Sequence, residues 1–166
     1  MKYLKAGAAF LVAFLMQASI LNMINIGGHT PNLILALVVM LAFLYDKEMY
    51  GILFGALFGV LYDICYSYVI GPTPIALVLT AVVVMMMRYY ANVENIVSMA
   101  VVSIISFIFY YFANWALFSI AGNSVGFGYV FANSIVTMLY TLVINVILYK
   151  VLIKGVVKHH RDRYVR

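Results

Sequence analysis

The sequence predicts an all-α integral membrane protein, a compact bundle of six transmembrane helices in a single domain over residues 1–155, followed by a basic tail at 156–166. Three observations lead there. Hydrophobic residues make up 67% of the 166-residue chain and charged residues 9%, with a mean hydropathy of +1.09. A soluble domain of this size has too little interior to hide so much apolar surface. The apolar residues fall into six runs, at about 4–24, 31–45, 51–70, 74–90, 95–121 and 129–150. With six crossings, the Lys and Arg residues all fall on one side.

The first run follows Lys2 and Lys5, which gives it the look of a secretory signal. It continues to about Met23, long enough to span. Before its only small pair, Ala18-Ser19, stands Met16-Gln17, without the small residue a cleavage site needs, so an uncleaved helix is expected. Thr30-Pro31 reads as an N-cap with proline at the first helical position of the second run. That run has 15 residues and reaches ~22 Å against a ~30 Å hydrocarbon core. Burial by its neighbours or local thinning of the bilayer would accommodate it.

The third run, GILFGALFGVLYDICYSYVIG, carries Asp63, the one charge far from a water-facing end. In steps of four it reads Gly51, Gly55, Gly59, Asp63, Ser67 and Gly71, all on one helical face. Small residues at this spacing let a second helix approach closely in a membrane. An ionisable group within a span calls for a partner or a wet cavity. Gly71-Pro72-Thr73-Pro74 ends this helix and starts the fourth. The polar stretch Asn92–Asn95 and the loop Gly122–Gly128 separate the remaining runs.

All ten basic residues lie in the amino terminus, the 46–50 hairpin, the 88–95 loop and the carboxyl end. The positive-inside rule then places both termini in the cytoplasm. Lys150, Lys154 and Lys158 repeat at four, and Arg161 and Arg163 continue the charge, a pattern suited to topology anchoring and to anionic lipid headgroups. The net charge of +5 does not point to nucleic acid, because these cations sit at span ends. Cys65 is alone, and His29, His159 and His160 lack metal-ligand spacing. No cofactor motif occurs, and no Ser–His pair, Asp pair or metal trio suggests an enzyme.

Depth counting predicts a polar layer. Asp63 lies seven residues before Ile70, Asn114 seven before Ala121 and Gln17 seven before Ile24, so each is ~10 Å below a common outer surface. Asn133, Thr137, Thr141 and Asn145 form a ridge on the sixth run, with Thr137 at the same depth. Gln17, Asn114, Asn133 or Thr137 are therefore expected to partner Asp63 in a structural knot or a small outward cavity.

The ordered series Gln17-Ala18-Ser19, Pro31-Asn32-Leu33, then Gly51, Gly55, Gly59, Asp63 and Gly71 resembles the bacterial rod shape-determining protein MreD. The motif covers about residues 17–77, while length, span number and basic tail fit along the chain. The resemblance implies a non-enzymatic inner-membrane scaffold of the cell-wall elongation machinery, needed for rod shape and lateral peptidoglycan synthesis. It implies MreC as direct partner and, through it, the MreB filament and the wall synthases. The Gly51/Gly55/Gly59/Asp63 face is expected to meet another helix, its own or that of MreC. The rival is a substrate-binding subunit of an energy-coupling-factor vitamin transporter, also a small six-span bundle. Ala9, Ala13 and the polar layer fit it, whereas the short uncharged loops do not.

Overall fold

The computed structural model describes residues 3–23, 29–45, 49–122 and 125–163, with side chains described except at 18, 20–23 and 154–163. The chain is all-helical: α1 (Tyr3–Met23), α2 (Leu33–Leu44), α3 (Tyr50–Tyr66), α4 (Pro72–Arg88), α5 (Ile96–Ile120) and α6 (Phe127–Arg163), with no strand among the described residues.

The short second run is the centre of the bundle. Every residue of α2 from Ile34 to Leu44 is buried, and the helix touches each of the other five. A helix that is apolar all round has no face to give to water. Its neighbours cover it, which is one of the two accommodations its length allowed.

Around α2 the helices pack antiparallel in chain order. α3 lies between α2 and α4, with its glycine ridge against both. α1 packs on both α2 and α3, and on α3 Phe10 stacks on Phe54 and Phe58 at centroid distances of 5.4 Å. α5 and α6 are joined through Asn145 Nδ2, which donates to Ser103 Oγ at 3.2 Å. Both residues are fully buried.

At one end α1 to α5 finish together, and α6 alone runs on, to Arg163. Tyr3 meets Tyr50, Tyr45 meets Tyr50, and the Tyr149 hydroxyl donates to the Val93 carbonyl in the α4–α5 turn at 2.8 Å. At the other end they do not. α1, α5 and the apolar part of α6 (Phe127–Ile153) have 21, 25 and 27 residues, or ~31–40 Å. α2, α3 and α4 have 12, 17 and 17 residues and reach only ~18–26 Å.

Two helices, α5 and Phe127–Ile153 of α6, are long and apolar enough to cross a membrane. The bundle is apolar outside as well as in its core, and a few polar side chains are buried within it. Leu11 and Leu15 of α1, Leu53 and Leu57 of α3, and Leu139, Val143 and Ile147 of α6 are exposed, while Asp63, Thr80, Ser103, Ser106, Thr141 and Asn145 are buried. The buried hydroxyls of Thr80, Ser106 and Thr141 donate to the carbonyl four residues back, at 2.6–2.7 Å, so they demand nothing from neighbours.

Candidate functional site

Of the residues singled out by the sequence, Gln17, Asn32, Thr141 and Asp63 gather at two helix starts, those of α2 and α4. A helix begins with backbone N–H groups that lack an intrahelical acceptor. At α2, three elements supply acceptors. Asn32 is the N-cap, and its Oδ1 accepts from Leu35 N at 2.9 Å. Gln17 Oε1, from α1, accepts from Leu33 N at 3.1 Å and Ile34 N at 3.4 Å. Thr141 Oγ1, from α6, accepts from Asn32 N at 3.0 Å. Ala36 N returns to the Asn32 carbonyl at 3.0 Å, which completes the turn. With each of these donors engaged, the end of α2 holds no place for an anion.

At α4 the acceptor is Asp63. Its Oδ2 accepts from Gly71 N at 2.9 Å and Thr73 N at 3.2 Å, and the side chain is completely buried. Pro72 and Pro74 carry no N–H, so they remove two donors that would otherwise need acceptors. Ile75 N bonds the Gly71 carbonyl at 3.2 Å. Gly71 has φ +126°, a conformation strained for any side chain, and this lets the chain turn back within hydrogen-bond reach of Asp63. The turn is tied further by Ser67: its N–H donates to the Asp63 carbonyl at 2.9 Å, and its Oγ accepts from Val69 N at 3.3 Å. The carboxylate thus rests on the positive end of α4, where negative charge is favoured.

This corrects the expected partnership. Asp63 is served by the backbone of the next turn, and Gln17 serves α2. Asn133 is exposed, and its Nδ2 donates to the Tyr129 carbonyl at 3.0 Å within α6. Thr137 is half-buried and contributes its carbonyl to Thr141. Asn114 lines a cavity of about 220 Å³ with Trp115, Phe118, Ser119, Val125 and Val130, and its buried Oδ1 has no partner. Depth counting failed because the helices are not flush: α6 begins fourteen residues before Thr141. The deeper half of the ridge, Thr141 and Asn145, is the half that turns inward. Sequence reasoning did not single out the Asn145–Ser103 pair as site residues. The available signal was the spacing of Ser103, Ser106, Tyr110 and Asn114 by three and four on α5, beside the four-residue ridge that ends in Asn145 on α6.

The glycine face meets helices of its own chain. A Cβ on Gly51 would lie 2.9 Å from the Val38 carbonyl oxygen, one on Gly55 3.1 Å from Val38 Cγ2, and one on Gly59 2.6 Å from Pro74 Cα. The ridge is therefore filled by α2 and α4 and is no free docking surface for a partner helix. Of the basic ridge, Lys150 is exposed, while the side chains of Lys154, Lys158, Arg161 and Arg163 lie outside the described residues. Their backbone continues α6 to Arg163. No group of three His, Cys, Asp or Glu that would hold a metal occurs among the described residues.

The fold and site define an all-helical protein with an apolar exterior and two helices of membrane-crossing length. No family model, curated protein or solved structure matches the chain.

Proposed function

We propose that the chain is a multi-pass, non-enzymatic scaffold of the bacterial inner membrane, of the MreD type. It would act in rod-shape maintenance and lateral peptidoglycan synthesis through an MreC-like single-span partner, with links to the MreB filament and wall synthases. The observation that carries this reading is that the residues of the resemblance form one connected device. Gln17, Pro31-Asn32-Leu33, Gly51, Gly55, Gly59, Asp63 and Gly71 tie α1, α2, α3 and α4 together through two capped helix starts and one glycine seam. In this reading all six helices lie in the bilayer. The Lys and Arg distribution keeps both termini cytoplasmic, and the cations from Lys150 onward meet anionic headgroups.

Because the glycine seam is internal, partner contacts fall on exposed faces such as Leu53, Leu57 and Ile64 of α3. The test is photo-crosslinking from these positions, and from Leu139 of α6, in native membranes. An MreC-type adduct is expected from at least one of them. Absence of any elongation component from all of them, with folded protein present, overturns the proposal.

One observation favours the transporter-subunit reading, namely the cavity beside Asn114 with its unpartnered amide oxygen. A large rise in melting temperature with a single vitamin would establish that reading, because a ligand that binds the native state stabilises it.

A further inference from the structure

Resting on the reading of the bundle as one that lies in the bilayer, we infer that α3 and α4, each too short to cross alone, cross as an offset pair. The α3–α4 turn then meets one headgroup layer, and Tyr89 and Tyr90 meet the other.

The register of the two helices makes the first part of the argument. A Cβ on Gly55 would lie 3.6 Å from Leu77 Cβ, and one on Gly59 2.6 Å from Pro74 Cα, so four residues forward on α3 match three residues back on α4. Gly55 and Leu77 therefore stand at one level. From that level α3 runs eleven residues one way to Tyr66, and α4 runs eleven the other way to Arg88. Each arm is ~16 Å, so the pair reaches ~33 Å along its length. Either helix by itself has 17 residues, or ~25 Å. A hydrocarbon core is ~30 Å thick, and only the pair matches it.

Side chains make the second. Between the ends the two helices expose aliphatic groups, among them Leu57 and Ile64 on α3 and Leu79 and Val82 on α4. The exposed tyrosines stand at the ends of the pair, Tyr66 and Tyr68 at the turn and Tyr89 and Tyr90 after Arg88. Tyrosine, with an apolar ring and a polar tip, gathers where membrane meets water. Just beyond Tyr90 come exposed Asn92, Glu94 and Asn95.

Hydrogen bonding makes the third. Within the turn, Val69 N goes to Ser67 and Gly71 N goes to Asp63. Tyr68 N and Ile70 N, in the two most exposed residues of the turn, find no acceptor among the described residues. Hydrocarbon offers irregular backbone no partner. Water and headgroup oxygens do, so the turn belongs at the interface.

The experiment labels thiols from one side. Tyr68→Cys, Leu57→Cys and Tyr90→Cys are each placed in a Cys65→Ala background, which leaves one cysteine per chain. All four positions are exposed, so packing is kept. The full chains, in the membrane of bacterial spheroplasts, meet a membrane-impermeant maleimide before and after the membrane is breached by freeze–thaw. Tyr68→Cys is expected to label in intact spheroplasts and Tyr90→Cys only after the breach. Leu57→Cys is expected to label in neither state, because the thiolate is the reactive form and apolar surroundings suppress it. Either end silent in both states, or both ends labelled from the same face, overturns this inference; with Leu57→Cys unreactive, the membrane reading still stands. Labelling of Leu57→Cys overturns the membrane reading and this inference with it.

Discussion

Alanine at Gly59 is the sharpest probe of the α3–α4 seam. The added methyl would lie 2.6 Å from Pro74 Cα and 3.0 Å from both Pro74 Cβ and Pro74 N. These atoms belong to a ring and to backbone at a helix start, so they cannot swing away. Either α4 moves or the capped turn opens. Overpacking of this kind costs about 1–3 kcal/mol. Alanine recovers about 0.8–1 kcal/mol of helix propensity over glycine, so the net loss is ~1 kcal/mol at the centre of the range and ~2 kcal/mol at its top. A loss of ~1 kcal/mol corresponds to about a fivefold fall in the folded-to-unfolded ratio. Gly55→Ala supplies the internal control. Its methyl would meet Val38 Cγ2 at 3.1 Å and Leu77 Cβ at 3.6 Å, side-chain atoms able to give by a few tenths of an ångström. There the propensity gain offsets the crowding, and a change within about 0.5 kcal/mol is expected. Reversible unfolding in mixed micelles, titrated with denaturing detergent, reads both. Wild-type stability in Gly59→Ala, or a larger loss in Gly55→Ala, would refute the seam as described.

Three further outcomes follow from the capped ends. Asp63→Ala leaves two amide donors without an acceptor and should cost ~2–4 kcal/mol, whereas Asp63→Asn keeps an acceptor oxygen and should lose ~1 kcal/mol of charge-assisted bonding; equal losses in the same titration would show that the charge itself is what matters. Gln17→Ala frees Leu33 N and Ile34 N and should lower stability by ~1–2 kcal/mol, with Gln17→Glu recovering most of it by keeping the acceptor. Tyr149→Phe removes the bond to the Val93 carbonyl and should cost ~1 kcal/mol, read as a lower melting temperature in detergent.

Much of this arrangement was legible in the residues. The burial of the second helix, the glycine ridge from Gly51 to Gly59 and the start of the fourth helix after Gly71 follow from local chemistry and from length, whereas the third helix ends at Tyr66, with Ser67 as its C-cap, short of the Gly71 that the sequence suggested. The N-cap of the second helix is Asn32, two residues beyond the Thr30 that sequence reading favoured, because Pro31 is not taken into the helix. The partner of Asp63 was not read, because depth was counted from helix ends as though all six began at one plane. The signal was nonetheless present. A carboxylate eight residues before a glycine that precedes Pro-Thr-Pro faces few donors, and those few lie in its own turn. Asn133 and Asn145 stand on one ridge of α6, yet one is exposed and the other fully buried. Asn145 meets Ser103 of α5 and lies one turn from the Thr141 that bonds the start of α2, and both contacts are placed by tertiary packing.

Everything above depends on Asp63 acting as the acceptor for the start of α4. Amide proton shifts of Gly71 and Thr73, measured by NMR on the isotope-labelled chain in micelles, test this directly. Both amides should lie downfield in the wild type and move upfield together in Asp63→Ala, while the amides of Leu33 and Ile34 stay in place. Unmoved Gly71 and Thr73 signals would contradict the arrangement at its root.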